Sequence, residues 1–249
     1  MAEIEHLGRC LVMNIRDKNI LVVGDLHLGF EEALENSGTL IGRKMLKEMI
    51  EEFDLIFEAM EKKSKKIEKV IFLGDVKHEF FALSRQESAE LTRLIDYLET
   101  KMKRDDEGRE VIFIKGNHDN YLLNLKAIKK VRVCNYFILG EYCFLHGNRD
   151  FAEIWDKKIK CLVMGHLHPA VRIKDKKGGK VEKYKCFLEG RFKGKKIIIL
   201  PSFNSYSVGS DLREEGVNSP WKFDINKFNV KIVGGGLGVL DFGRLGSLA

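Results

Sequence analysis

No stretch of the 249-residue sequence is apolar over the roughly 20 residues that a bilayer-spanning helix needs. Its opening, MAEIEHLGRC, carries acidic side chains where a secretory leader would have a basic region and an apolar one. A soluble, cytoplasmic protein with no membrane partner is therefore expected. Cys10, Cys134, Cys143, Cys161 and Cys186 contain no C-x-x-C spacing, which argues against a disulfide framework and a zinc ribbon and for buried, inert thiols. The glycines at 234–236 fit neither G-x-G-x-x-G nor a P-loop, and no helix follows them, so they read as a turn between strands. Glutamine occurs once, at Gln86, among many lysines and glutamates, a composition suited to surface ion-pair networks at high temperature. Repeats, low-complexity tracts and linkers are also missing, and 44% hydrophobic content at this length supplies one large core. One domain spanning 1–249 is the expectation.

The formal charge of +6 favours contact with polyanions, yet it is spread along the chain. Basic clusters fall at 62–69, 101–104, 174–185 and 191–196. Solvated loops account for them, and a track for nucleic acid would use the same loops. No aromatic code is interleaved with them.

Short runs rich in Val, Ile and Phe each end in Gly and a polar cluster: ILVVG at 20–24, VIFLG at 70–74, VIFIKG at 111–116, YCFLHG at 142–147 and CLVMG at 161–165. These read as buried strands opening into loops. Between them, Met45, Met49, Phe53, Ile56 and Met60 form one apolar stripe in a helix over 41–62, a stripe that belongs to the core. A second helix over 84–103 presents Leu91, Leu94, Ile95 and Leu98, and 150–160 reads as a shorter third. Strand and helix alternate as in βαβ units. From 170 onward the pattern turns to β segments at 170–173, 183–188, 196–200, 230–233 and 238–242, which predict hairpins and a second sheet.

The sequence has seven histidines, and all but His6 lie in or beside the strand-ending clusters. In open α/β sheets ligands bind at the carboxyl ends of strands, so these clusters converge on one rim. Asp25 and His27 alternate past one strand and can chelate one cation. Asp75 supplies a carboxylate able to bridge two cations about 3.5–4 Å apart. Asn117 adds a neutral oxygen, and His146, His166 and His168 add nitrogens. Any one of these histidines taken alone reads better as a structural residue, but six at strand ends beside Asp25, Asp75 and Asn117 do not. Nitrogen and oxygen donors without thiolate favour two divalent ions, manganese first and iron or zinc next, over a soft-metal site.

GDLHLG (24–29), GDVKH (74–78), GNHD (116–119), HGN (146–148) and GHLHP (165–169) occur in this order. The pattern resembles the calcineurin-like metallophosphoesterase superfamily. GDVKHEF and the LPSFN segment at 200–204 are most similar to its archaeal SbcD-related and bacterial PdeM-type nuclease subgroup. The resemblance implies an α/β fold, a four-layer α/β/β/α sandwich of two mixed sheets flanked by helices with the site on the rim. It implies that Asp25, His27, Asp75 and His168 hold one metal while Asp75, Asn117, His146 and His166 hold the other, with a bridging hydroxide as nucleophile. His118 would contact the scissile phosphate and protonate the leaving oxygen, Asp119 would orient its ring, and His78 would contact phosphate. Those roles agree with the chemistry, since paired cations lower the pKa of water and neutralise phosphoryl charge, and an imidazole of ordinary pKa near ~6.5 can deliver the proton an alkoxide needs.

The function expected is manganese-dependent cleavage of DNA phosphodiesters, single-stranded in preference, with a role in repair. A small-molecule phosphohydrolase is the alternative within enzymes. A non-catalytic metal-bound scaffold is the alternative outside them, and the presence of His118 and all seven ligands argues against it. The intervals from Asp25 through Asp75, Asn117, His146 and His166 are 50, 42, 29 and 20 residues, too short for an inserted lid domain. An open cleft admits a polymer. A helicase or other repair protein supplying unpaired ends would suit such a site. The chain stops soon after the second sheet without the extension of full-length SbcD-type proteins, so an SMC-like ATPase partner is not expected.

Overall fold

Side chains alternate across a strand, and where both faces of a strand are apolar it must be covered on both sides. In β3 (Lys18–Val23) and β4 (Ile67–Phe72), Leu21, Val23, Val70 and Phe72 meet helices, while Ile20, Val22 and Ile71 join a core shared with another sheet. The computed structural model describes residues 2–102, 110–122, 131–174 and 179–248. The basic clusters at 101–104 and 174–185 and the end of the helix expected over 84–103 fall partly outside them.

Among these residues the first sheet has six strands in sequence order, from β1 (Glu3–Leu7) and β2 (Cys10–Ile15) through β3 and β4 to β5 (Glu110–Ile114) and β6 (Arg132–Cys134). β1, β2 and β3 pair antiparallel, whereas β3, β4, β5 and β6 run parallel. The helices α1 (Phe30–Asn36) and α2 (Met45–Lys62) separate β3 from β4, and α3 (Arg85–Met102) separates β4 from β5. The stripe from Met45 to Met60 is buried against this sheet together with Leu91, Leu94, Ile95 and Leu98.

The second sheet has nine strands: β7 (Tyr136–Leu139), β8 (Tyr142–Leu145), β9 (Cys161–Met164), β10 (Pro169–Lys174), β11 (Val181–Phe192), β12 (Lys195–Ile199), β13 (Ser210–Asp211), β14 (Asn229–Val233) and β15 (Val239–Arg244). The main path runs β13-β10-β11-β12-β9-β8-β7, with β14 and β15 attached through β11. β8, β9 and β12 are parallel, with Leu145, Met164 and Ile199 at one level. Phe144, Val163, Phe187, Ile198 and Leu200 face Leu11, Met13, Ile112 and Ile114 of the first sheet.

Two mixed sheets with flanking helices match the expected fold class, but the outer face of the second sheet is covered differently. There the short α4 (Leu212–Glu215), several 3-10 turns, Trp221, Phe223 and Phe228 close the core. The helix expected over 150–160 is a 3-10 turn, Ala152–Trp155. Lys195 Nζ donates to the carbonyls of Asp156 and Ile159, at 2.7 and 2.6 Å, which pins the separate turn closed by Ile159 N and Asp156 O at 3.0 Å instead of a continued helix. The hairpin of β1 and β2 was not foreseen. Gly234–Gly236 form the turn into β15, with Gly234 N donating to Gly238 O at 2.8 Å. The cysteines are free, and burial pushes the Cys143 thiol up to about 12. No helix among the described residues is long and apolar enough to cross a membrane.

Phe144 is fully buried between the sheets, so Phe144→Ala should cost about 3–5 kcal/mol by emptying that space. Urea unfolding should show a lower midpoint at unchanged slope, and a loss under about 1 kcal/mol would mean that the ring does not bridge the sheets.

Candidate metal centre

β3, β4 and β5 of the first sheet and β8, β9 and β12 of the second direct their carboxyl ends to one rim, and each is followed by a polar loop. Main-chain bonds tie the loops together. The amides of Leu26 and His27 donate to Asp75 O at 3.2 and 2.9 Å, and Leu28 N donates to Val76 O at 2.9 Å. Gly165 N donates to His146 O at 3.0 Å, and His166 N donates to Asp25 Oδ2 at 3.0 Å. Phe203 N and Ser202 Oγ both donate to Asp25 O, so the segment after β12 braces the first loop.

The side chains form two groups. Around His146 Nε2 stand Asn117 Oδ1 at 3.1 Å, His166 Nδ1 at 3.1 Å and Asp75 Oδ2 at 3.3 Å. In the second group, His168 Nε2 is 3.3 Å from Asp25 Oδ1 and 3.4 Å from His27 Nε2. All seven predicted ligands are therefore together. His146 Nδ1 is occupied by the Leu73 carbonyl at 2.8 Å, which leaves Nε2 as the nitrogen facing the group. Two imidazole nitrogens cannot face each other at 3.4 Å as bare lone pairs, and the same holds for His166 Nδ1 against His146 Nε2. A proton or a cation must lie between them. Buried nitrogen and oxygen atoms converging on two points, without thiolate, fit two divalent cations of the manganese, iron or zinc kind.

Reaching this arrangement strains the backbone. His27, Asp75, His166 and His168 all have positive φ, between 43° and 67°, a region disfavoured for residues with a Cβ and found where a site dictates side-chain direction. Two glycines relieve crowding. A Cβ on Gly74, at φ 104°, would strike His146 Nδ1, and one on Gly116 would strike Asp75 Oδ1.

Electrostatics follow from the crowding. Burial alone would raise the Asp25 carboxyl, but His168, His146 and His27 hold it far below the carboxylate range. Burial and the neighbouring His168 push His27 down to about 3. His146 moves up to about 9 although burial opposes it, because Asp75 and Asp25 stabilise its proton. A cation held at His146 Nε2 would compete with that proton.

His118 and His78 lie beside His27, within the reach of one bound group. His118 Nδ1 donates to the His78 carbonyl at 2.6 Å, and its amide donates to Asp75 Oδ1 at 2.8 Å. The role expected of Asp119 needs correction. Its carboxylate accepts from the amides of Gly116, Val76 and Lys77, at 2.8, 2.9 and 3.3 Å. Asp119 joins two loops, and the His78 carbonyl orients the His118 ring. His78 itself is half-buried, with Nδ1 bonded to nothing in the described structure.

Several supporting residues escaped the sequence reading. Glu87 accepts from His78 N at 2.9 Å and Ser84 N at 2.7 Å, and Glu90 accepts from Gly29 N at 2.9 Å. Gln86 Nε2 bonds Glu90 at 2.7 Å and Glu31 at 3.3 Å. On the other side, Lys185 Nζ donates to the carbonyls of Ser202 and Asn204. The sole glutamine was the one available signal, since on a helix rich in charge the glutamates look solvated.

The sequence profile of calcineurin-like phosphoesterases matches residues 18–236. Among solved structures, the nuclease MPE of Pseudomonas putida superposes with a TM-score of 0.54 at 17% identity, covering 97% of this chain and 100% of that one. Vps29 of Entamoeba histolytica, complexed with zinc, gives a TM-score of 0.38 at 13% identity over 90% and 98% of the two chains. A Streptococcus pneumoniae protein described as a predicted phosphoesterase gives 0.30 at 16% over 90% and 97%. Only the first supports an argument, and at that identity it concerns the fold. No curated protein sequence matches the chain.

Two outcomes are expected. Manganese-reconstituted protein should hold two ions per chain by elemental analysis and Asp75→Ala fewer; a wild type with one ion, or a variant with two, would refute the paired centre. Burial and Arg9 depress Lys185 to about 7, below the ordinary ~10.4. The charged form thus weakens the fold at low pH, and stability contributed by this group rises between about pH 7 and 10, where only the unfolded chain keeps the proton. Lys185→Met should flatten the rise in Tm between pH 6.5 and 9, and parallel profiles would contradict it.

Proposed function

This chain belongs to the calcineurin-like phosphoesterase family, a family of metal-dependent hydrolases, and from that premise we propose that it is a nuclease cleaving DNA phosphodiesters with manganese, preferring single strands. The observation that carries the reading is the setting of His118. Its Nδ1 is engaged by the His78 carbonyl at 2.6 Å, so Nε2 is the nitrogen left to act beside the two ligand groups. That is the placement a proton donor to a leaving oxygen requires. GDVKHEF and LPSFN, on which the resemblance to the SbcD-related subgroup rests, support the substrate class.

Asp25, His27, Asp75 and His168 would hold one cation and Asp75, Asn117, His146 and His166 the other. When bound, the pair supplies Lewis acidity that neutralises phosphoryl charge and acidifies water. The protein residues do the rest. Asp75 Oδ1 fixes the His118 amide, so the acid is positioned by a ligand residue. His118 protonates the departing sugar oxygen, and His78, whose ring stacks on His118 at 5.8 Å, adds a phosphate contact from the same side. Arg172 and Lys174 of β10 and Lys180 just before β11, all exposed, would carry the strand's backbone and make binding weaken with salt, whereas 191–196 lies at the amino ends of β9 and β12, away from the rim.

His118→Ala should keep both metals and lose about 10²–10⁴-fold on an alkoxide leaving group, with a much smaller loss on a nitrophenolate ester, whose leaving group needs no proton. Equal losses would assign His118 to phosphate positioning. Labelled single-stranded DNA, matched duplex, nucleoside monophosphates and dinucleotide polyphosphates should then be compared in manganese and moderate salt. Turnover of the small molecules without cleavage of DNA would replace the nuclease by a nucleotide phosphohydrolase.

A further inference from the structure

All 16 phenylalanines lie among the described residues, and three of them are exposed. Two of those three are neighbours on the rim of the metal centre: Phe80 is 39% and Phe81 80% exposed. The Phe80 ring sits edge-on to His118 with centroids 5.5 Å apart, and the Phe81 ring follows at 5.0 Å from Phe80. A line of rings thus leads outward from the proposed acid. Tyr121, 56% exposed, comes directly after Asn120, whose amide reaches the Phe80 carbonyl at 3.4 Å.

The turn that carries these rings is built to hold them outward. The ammonium of Lys77, wholly buried, lies inside the turn and donates to the carbonyls of Glu79 and Ala82. From outside, the Glu87 carboxylate collects the amides of His78, Glu79 and Ser84. With both sides fastened, Phe80 and Phe81 cannot fold back onto the core without breaking buried charge-assisted bonds. Their backbone is ordered before any ligand arrives, which lowers the entropy lost on binding.

We infer that Phe80 and Phe81 form a stacking platform for an unpaired nucleobase flanking the scissile phosphate, an inference that rests on the nuclease reading above. A phosphate held between the ligand groups and His118 brings the adjoining base level with the rings beside that histidine. Every base has a π-face, so the platform accepts any sequence. Bases in a duplex have their faces covered by their neighbours, and the platform therefore selects unpaired strands. Two side chains expose far less than the ~800 Å² per partner of a standard protein interface, so a base suits the surface better than a protein does.

The test uses the full-length manganese-loaded protein. With single-stranded oligonucleotides cleaved at one position, Phe81→Ala and Phe80→Ala should each raise KM about tenfold or more, the scale of losing a stacked base. The loss should be at least several-fold smaller when the flanking residues are abasic, and Phe81→Trp should restore the difference. Equal losses on both strands, or none on either, would overturn the platform. A 2-aminopurine beside the cleavage position should be quenched on binding to wild type and remain bright with the double alanine variant. This readout needs no turnover, so it separates the two readings. Cleavage without quenching refutes the platform alone, and binding with neither cleavage nor quenching refutes both. If wild type dimerises and Phe81→Ala abolishes dimerisation, the rings serve a second copy of the chain and the proposal fails.

Discussion

The carbonyl of Asp75 accepts the amides of Leu26 and His27, its Oδ1 accepts that of His118, and its Oδ2 stands 3.3 Å from His146 Nε2. One residue therefore fixes the positions of loops that follow β3, β5 and β8. Because the first two strands belong to one sheet and the third to the other, this residue also joins the sheets at their rim. The packing of Ile71, Ile112, Phe144 and Val163 between the sheets sets the distance across which Asp75 must reach. A one-residue change in strand register would turn those side chains over and separate the ligands.

Bringing three carboxylates and several imidazoles into one buried volume opposes folding, and the local chemistry records it. Asp119 is pushed up to about 6 by burial and the nearby Asp75 charge, while amides from Gly116, Val76 and Lys77 stabilise its ionised form. Positive φ at His27, Asp75, His166 and His168 adds backbone strain. Such strain persists only where the surroundings over-determine the conformation. Here they do so through main-chain bonds between loops, and cations held by these side chains would add further attraction.

Behind that first layer, α3 has a second task besides covering the sheet. Its buried stripe of Leu91, Leu94, Ile95 and Leu98 docks it on β4 and β5, which carries Glu87 and Glu90 to the amides of His78 and Gly29. The first helical turns thus anchor both the turn bearing Phe80 and Phe81 and the loop bearing His27. Helix packing, loop geometry and the orientation of His118 through the His78 carbonyl form one mechanical chain. Carboxylates that receive backbone amides in this way make stronger bonds than neutral acceptors would.

The strands ending near Gly24, Gly74, Gly116, Gly147 and Gly165, the helices carrying Met45–Met60 and Leu91–Leu98, and the gathering of Asp25, His27, Asp75, Asn117, His146, His166 and His168 at one rim were legible from the sequence. Apolar periodicity and strand-end motifs are local signals, and ligand chemistry restricts the residue types that can serve. The β1–β2 hairpin, the 3-10 turn in place of a helix after Asp150, the use of Asp119 as a link between loops, and the tasks of Glu87, Gln86 and Lys185 were not. The hairpin is a local pairing, but each of the others depends on a partner in another element or loop: Lys195 for the carbonyls of Asp156 and Ile159, Val76 for Asp119, His78 for Glu87, Ser202 for Lys185. A glutamate on a charged helix, or a phenylalanine after a metal-binding motif, has no local mark that separates burial from exposure. Only the packing of α3 against the first sheet decides that Glu87 is buried and Phe81 is not, because burial is a property of what lies across the gap and not of the residue itself.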